Sequence, residues 1–159
     1  MRYAIVDSPV GPLLLAGDAA GLHQLAFVKD GRPAIAPDWQ LDREAFAGLI
    51  AELDAYFAGR LRRFATPLAP RGTPFQLDVW RALCDIPYGE TISYGELARR
   101  IDNPKAVRAV GLANGANPIA IIVPCHRVIG SNGTLTGYGG GLPIKQALLA
   151  LERGQGRLL

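Results

Sequence analysis

Cys125 and His126 stand side by side in the run Ile121-Ile122-Val123-Pro124-Cys125-His126-Arg127-Val128-Ile129. The thiolate is the reactive form of cysteine, and a neighbouring base or positive field is what produces it at neutral pH. On a regular strand the two side chains would point to opposite faces. Pro124 argues instead for a turn, in which adjacent side chains are re-aimed. The alternative is an inert core cysteine at the end of an apolar strand. Glu152 falls near the C-terminal end of a helix expected over about 143–153, where a carboxylate opposes the helix dipole. Such a group is either exposed or held by a cationic or imidazole partner, and His126 is the candidate.

A chain of 159 residues, 49% hydrophobic and 19% charged, can bury a real core. Its apolar runs fall short of the ~20 residues of a membrane helix. The first residues lack a signal-peptide pattern, so a cytoplasmic protein with no membrane association is expected. Two cysteines in that setting are expected to be reduced, with Cys84 as core packing. With only His23 and His126 beside them, no metal site is expected, and His23 reads as a partly exposed strand residue. Residues 1–70 carry seven Lys/Arg against eight Asp/Glu, and residues 71–159 carry ten against six. A basic second half favours an anionic partner, nucleic acid above all, although a solvated basic surface would look the same.

The elements that must position these residues fall into two groups. Short strands are expected at 3–7, 12–17 and 22–28, with a loop from Lys29 to Gln40. A helix follows from Asp42, as N-cap, to Gly59, with Phe46, Leu49, Ile50, Leu53 and Phe57 on its apolar face. This makes a small antiparallel sheet packed on a helix, and no catalytic constellation is found in it. Thr66 to Gly72 reads as a linker, giving domains at 1–70 and 71–159. The second begins with Thr73-Pro74-Phe75-Gln76, a capping box that opens a helix to about Asp85. Ser93-Tyr94-Gly95-Glu96 is another, opening a short helix, and a further helix is expected from Pro104 to Asn114. The pair is a helix-turn-helix candidate, or else an ordinary helical hairpin. On the second helix Ala106, Val110 and Ala113 face inward, while Arg108 points away between Gly111 and Leu112. Small residues around one long cation let a backbone approach a large partner closely. Gly130 to Gly141 is a glycine-rich loop without the Gly-Lys-Ser/Thr of a phosphate cradle.

Residues from about Gly72 to Gly154 resemble the DNA repair methyltransferases that remove alkyl groups from O6 of guanine. The matching motifs are Thr91 to Ala98, Asn103 to Gly111, Asn117-Pro118 through Pro124-Cys125-His126-Arg127-Val128, and Gly137-Tyr138 through Leu148-Leu149-Ala150-Leu151-Glu152. The resemblance implies an α+β chain: a ribonuclease H-like N-terminal domain, then a mostly helical C-terminal domain whose helix-turn-helix enters the minor groove. It implies that Cys125 is the nucleophile and permanent alkyl acceptor. His126 takes its proton through a water, Glu152 orients the imidazole, and Tyr94 donates to the guanine. Tyr94, Ala106, Arg108 and Gly111 are the implied DNA-facing residues, with Arg108 filling the place of a base rotated out of the duplex. Asn117, Val123, Val128, Tyr138 and Gly139 are the implied pocket residues. Gly139 implies room for alkyl groups larger than methyl, and O4-alkylthymine stays open as a second substrate. The implied partner is double-stranded DNA carrying O6-alkylguanine, with no cofactor. A monomer is expected in solution, with cooperative binding on DNA left open. Two rivals remain at this point: a non-enzymatic DNA-binding or regulatory protein, and a thiol hydrolase using Cys125 and His126.

Overall fold

In the computed structural model, which describes residues 1–133, 138 and 140–154, the chain opens with a sheet and ends in helices. Strands β1 (Arg2–Val6), β2 (Leu13–Asp18) and β3 (Gly21–Phe27) pair antiparallel around tight turns. The stretch read as a plain loop runs directly into β4 (Gln40–Leu41), which pairs parallel with β1. The sheet is therefore mixed, in the order β3-β2-β1-β4. Two residues cannot show an alternation, so nothing in the sequence marks β4 as a strand.

Helix α1 (Ala47–Phe57) lies across this sheet and buries Leu49, Leu53, Tyr56 and Phe57. Each such side chain contributes roughly 1.5–3 kcal/mol by leaving water. Asp42 acts as expected at the entry, its Oδ1 accepting from the Ala45 N–H at 3.2 Å, although the first turn is 3-10 and the α-helix begins only at Ala47. Ile50 is half-buried, and Tyr56 joins the buried face instead.

The presumed linker is more than a spacer. Leu22 donates to the Pro67 carbonyl at 2.9 Å and accepts from Ala69 N–H at 2.8 Å, so residues 67–69 run along the outer edge of β3. That cover explains His23, which is buried at 8% exposure and not partly exposed as expected. Its Nδ1 lies 2.6 Å from the Ala69 carbonyl and its Nε2 lies 2.8 Å from Asp18. A little further along, β3 bonds to the second half of the chain. Leu25 donates to the Pro118 carbonyl and accepts from Ala120 N–H, both at 2.9 Å.

Helix α2 (Pro74–Cys84) starts with the capping box read from sequence. Gln76 N–H donates to Thr73 Oγ1 at 3.1 Å, and Thr73 N–H donates to Gln76 Oε1 at 3.0 Å. Cys84 does not pack in the core: it is exposed in the last turn, and Val79, Trp80 and Leu83 take the buried face. β5 (Ile92–Ser93) leads into α3 (Tyr94–Arg100), where Ser93 Oγ accepts from Glu96 N–H at 3.0 Å. The Glu96 carboxylate turns to Arg99 and Arg100. Helix α4 (Val107–Gly115) begins three residues later than expected, because Pro104 sits in the preceding turn and Ala106 is the N-cap. β6 (Val128–Ile129) pairs parallel with β5, and α5 (Leu142–Glu152) closes the described part of the fold. Among the described residues no helix is long and apolar enough to cross a membrane.

Trp80 stitches α2 to α4 by donating from Nε1 to the Ala113 carbonyl at 2.9 Å in the core. Replacing it with phenylalanine removes the donor and part of the ring volume. Trp80→Phe is expected to lower unfolding free energy by about 1–3 kcal/mol, read from the urea midpoint at unchanged slope.

Candidate active site

The apolar run before the cysteine is not a strand. Ile121 adopts φ 71°, a left-handed conformation that is rare for a β-branched residue, and is 1% exposed. Around it the backbone folds into successive tight turns: Ile122 donates to the Ala120 carbonyl at 2.8 Å and Val123 to Ile119 at 3.1 Å. Asn117 clamps them, its Nδ2 donating to the Val123 carbonyl at 2.8 Å and the Ile119 carbonyl at 3.3 Å. Its Oδ1 accepts from Ile119 N–H at 3.0 Å. A non-glycine residue held in such a conformation needs surroundings that over-determine it, and the Asn117 bonds help supply them.

Pro124 then opens a single 3-10 turn, Cys125–Arg127. With three residues per turn, consecutive side chains point in three directions. This is how a proline re-aims neighbours that a strand would have split between two faces. Cys125 lines a cavity of about 270 Å³ together with Gln24, Phe27, Asn117, Pro118 and Tyr138. His126 points into the interior, where its Nε2 lies 2.7 Å from Glu152 Oε2. Arg127 reaches the same carboxylate from the other side, Nε to Oε1 at 2.7 Å and Nη2 to Oε2 at 3.0 Å. Its Nη1 donates to the Ile86 carbonyl at 2.7 Å, and its guanidinium lies 5.7 Å from the centre of the Tyr88 ring.

Glu152 reaches this position because α5 carries a buried stripe of Lys145, Leu148, Leu149 and Glu152. Ile144 and Ala147, beside this stripe, are only half-buried. Lys145 is fully buried, and its ammonium donates to the Val128 carbonyl at 2.7 Å. A fourth donor reaches Glu152 from the N-terminal half, the Tyr56 hydroxyl at 2.6 Å from Oε2.

These contacts set the charges. Burial alone would raise the Glu152 carboxyl, but the hydrogen bonds and charges of His126 and Arg127 outweigh it and hold the group down at about 2. Burial pushes His126 below its ordinary value, against the pull of Glu152. At neutral pH the pair is thus a carboxylate beside a neutral imidazole. A carboxylate only accepts, so Nε2 carries the imidazole proton and Nδ1 keeps a lone pair. Nδ1 is buried and bonds to no described group, whereas the buried Tyr138 hydroxyl faces the Cys125 sulfur across the cavity. Burial also pushes the Cys125 thiol up, while Asn117 and the positive charge of Lys145 pull it part of the way back. The site therefore holds a neutral thiol and, on the same turn, a neutral imidazole of fixed tautomer whose Nδ1 keeps its lone pair.

Two family profiles match the chain: the 6-O-methylguanine DNA methyltransferase ribonuclease-like domain over residues 1–70, and the DNA binding domain of the same family over residues 74–154. The methylated-DNA–protein-cysteine methyltransferase of Methanosarcina mazei is 60% identical over 153 residues, covering 96% of this chain and 97% of its own. The chain belongs to the 6-O-methylguanine DNA methyltransferase family. The crystal structure of Mycobacterium tuberculosis OGT in complex with DNA matches with a TM-score of 0.93 at 54% identity, over 99% of this chain and 96% of that one. The O6-methylguanine-DNA methyltransferase of Pyrococcus kodakaraensis matches with a TM-score of 0.66 at 28% identity, over 94% and 98% of the two chains.

The remaining residues singled out from the resemblance to this family are dispersed around the turn. Tyr94 opens α3 directly after β5, which the pairing of Ser93 with Ile129 joins to the strand following the Cys125–Arg127 turn. It is not among the residues lining the cavity. Its ring lies against α4, where a Cβ on Gly111 would sit 3.9 Å from Tyr94 Cδ1. Arg108 is exposed on the outer face of α4 beside Leu112, which is 72% exposed, while Ala106 is half-buried at the helix start. Val123 and Val128 do not line the cavity. Both are buried, and their carbonyls are taken by Asn117 and Lys145. Gly139 lies outside the described residues.

Four members of the cluster were missed by the sequence reading. Tyr56 left no signal there, since a tyrosine on a helix's apolar face reads as packing. Arg127 and Lys145 did leave one: a cation next to His126, and a lysine seven residues before Glu152 on one helical stripe. Asn114, 5% exposed, donates to the Cys125 carbonyl at 3.4 Å and is a lone polar residue on the buried side of α4.

The depressed Glu152 carboxyl makes stability depend on acid. The ordinary value is 4.5 and the folded value about 2, so the unfolded chain binds more protons between them. The Glu152 contribution is full above about 4.5 and is lost as pH falls towards 2. His126, folded below its ordinary 6.5, adds a loss that begins as pH drops under 6.5. Urea midpoints measured from pH 7 to pH 2 should fall less steeply below 4.5 in Glu152→Gln than in the wild type. Parallel curves would show that this carboxylate is not the source.

Proposed function

We propose that the chain repairs DNA by direct reversal, transferring the alkyl group from O6 of guanine to Cys125. The observation that carries this is the buried Glu152–His126 pair on the turn that delivers the cysteine to a cavity. In the reaction the Cys125 thiol loses its proton to His126 Nδ1, directly or through one water, and Glu152 stabilises the imidazolium that forms. The sulfur attacks the alkyl carbon as the O6–carbon bond breaks. A C–S bond replaces a C–O bond, and the guanine leaves with its electron pair. The base takes up one proton in returning to its keto form, which balances the proton lost by the thiol. Tyr94, at the head of α3, donates to the leaving guanine. The thioether is stable and, among the described residues, no group of the site is placed to attack it, so each molecule reacts once.

O6 of guanine is inaccessible to this buried sulfur while the base is stacked, so the nucleotide must be rotated out of the duplex. The outer face of α4 suits that task. Small residues at Ala109 and Gly111 admit the minor groove, and Arg108 extends from the same face to occupy the vacated space. Ala106 at the helix start sits against the phosphate backbone. Asn117 holds the turns under the nucleophile, and Tyr138 walls the cavity. Binding is led by phosphate contacts to the basic second half, and is therefore weakly dependent on sequence and sensitive to salt.

Intact-protein mass spectrometry after incubation with an O6-methylguanine duplex should show a gain of one methyl group, abolished in Cys125→Ala. Binding of the lesion duplex with no mass change would sink the enzymatic reading in favour of a lesion binder, and turnover of a thiol-hydrolase substrate would favour the second rival. Arg108→Ala is expected to slow repair of duplex DNA by roughly tenfold or more, the scale of an unstacking cost of a few kcal/mol. Reaction with free O6-methylguanine base should be nearly unchanged, and equal slowing of both would exclude the intercalating role.

A further inference from the structure

The carboxylate that orients His126 is held from both halves of the chain. Glu152 Oε2 receives His126 at 2.7 Å, Arg127 at 3.0 Å and the Tyr56 hydroxyl at 2.6 Å. Tyr56 is 1% exposed in α1, the helix that packs on the N-terminal sheet, and Glu152 lies 96 residues further on. Its ring is fixed edge-on to Phe57 and Tyr88, with centroids 5.3 and 6.4 Å away, and is tilted against Phe64 at 5.5 Å. Aromatic packing on three sides locks the ring, so the hydroxyl arrives at Oε2 with little rotational freedom.

We propose that Tyr56 is a positioning residue for alkyl transfer, through which the N-terminal half sets both the orientation and the basicity of His126. The proposal rests on the reaction assigned above to Cys125 and His126. An O–H donated to Oε2 withdraws charge from the oxygen that His126 faces. Without it the carboxylate becomes a stronger acceptor, the imidazolium is better stabilised, and His126 titrates at higher pH. Among the described residues the titratable and charged groups around this pair are His126 and Arg127 on the 3-10 turn, Tyr56 on α1, Tyr88 on the turn after α2, Tyr138, and Lys145 on α5, with Arg62 over the Tyr88 ring at 5.3 Å in a cavity that Glu152 also lines. Cys125 adjoins His126 in the chain. Of these Tyr56 and Arg62 come from residues 1–70, and it is Tyr56 that bonds to the carboxylate. The family's ribonuclease-like domain thereby contributes a direct hydrogen bond to the catalytic pair, in addition to its scaffold.

The test is Tyr56→Phe, which keeps the ring and removes the oxygen. Single-turnover methylation of Cys125 by an O6-methylguanine duplex should slow roughly three- to tenfold at neutral pH, the scale of one net hydrogen bond. The acid limb of the pH–rate profile should move upward. The His126 imidazole resonance, followed by NMR against pH without substrate, should move in the same direction. Phe64→Leu, which loosens the ring packing but spares the hydroxyl, should lower the thermal midpoint and leave the limb in place. An unshifted limb and an unshifted imidazole titration in Tyr56→Phe would overturn the proposal, even with a slower rate, since loss of packing alone slows without shifting. A limb that moves equally in Phe64→Leu would also overturn it. Wild-type protein that takes up no methyl group would defeat the assigned reaction instead. The imidazole titration needs no substrate, so the two failures are distinguishable.

Discussion

A single buried carboxylate organises this molecule. Taking the Glu152 charge out of water is costly, by several kcal/mol even after relaxation. The cost is offset only because four hydrogen bonds and a full positive charge converge on its two oxygens. The Arg127 guanidinium meets it as a fork, which a lysine could not do with the same geometry. Arg127 and Glu152 cancel as charges, so the imidazole between the turn and α5 can remain neutral. The result is a base of fixed tautomer in a dry interior. Every element that supplies a donor, from α1 to the 3-10 turn, is thereby constrained in position.

The same logic extends from the carboxylate to the nucleophile. Cys125 and His126 are adjacent in sequence, so their relative aim depends wholly on the local backbone. That backbone is compressed: a left-handed Ile121, a proline, and a 3-10 turn follow one another within seven residues. Such a path has no regular ladder to hold it, and Asn117, Asn114 and Lys145 do so by bonding to the Val123, Ile119, Cys125 and Val128 carbonyls. Polar side chains here replace secondary structure. This accounts for burying an ammonium group beside a thiol: it satisfies a carbonyl and places positive charge where a thiolate would form.

Much of the frame was legible because it is written in short-range rules. The Thr73–Gln76 box, the Asp42 entry and the apolar face of α1 depend on neighbours three or four residues apart. The pairing of His126 with Glu152 was legible for a different reason, an acid placed against a helix dipole. What escaped depends on contacts across the chain. His23 is buried by a linker 46 residues away, and β4 exists only because β1 offers it an edge. Cys84 was assigned to the core, but it lies on the open side of the last turn of α2, where Leu83 takes the buried face. The turn at Pro124 was legible, but the turns before it were not: Ile-Ile-Val favours a strand, and the local Asn117 clamp overrides that preference.

A nucleophile that is consumed by its own reaction faces a requirement that a recycling enzyme does not. A resting thiolate exposed to water would meet oxidants and adventitious electrophiles, and each such event would remove one molecule from service. Burial answers this by holding Cys125 as the neutral thiol, at the expense of intrinsic reactivity. In the reaction proposed above, the His126–Glu152 pair restores the reactivity at the moment a substrate fills the cavity, since proton transfer to Nδ1 creates the thiolate only where an alkyl carbon can meet it. The basicity of Nδ1 then decides the balance: too strong, and the imidazolium–thiolate pair would persist at rest; too weak, and the thiol would never ionise. Three donors on Glu152 Oε2, where one would be enough to orient the ring, are the means by which the fold sets that strength.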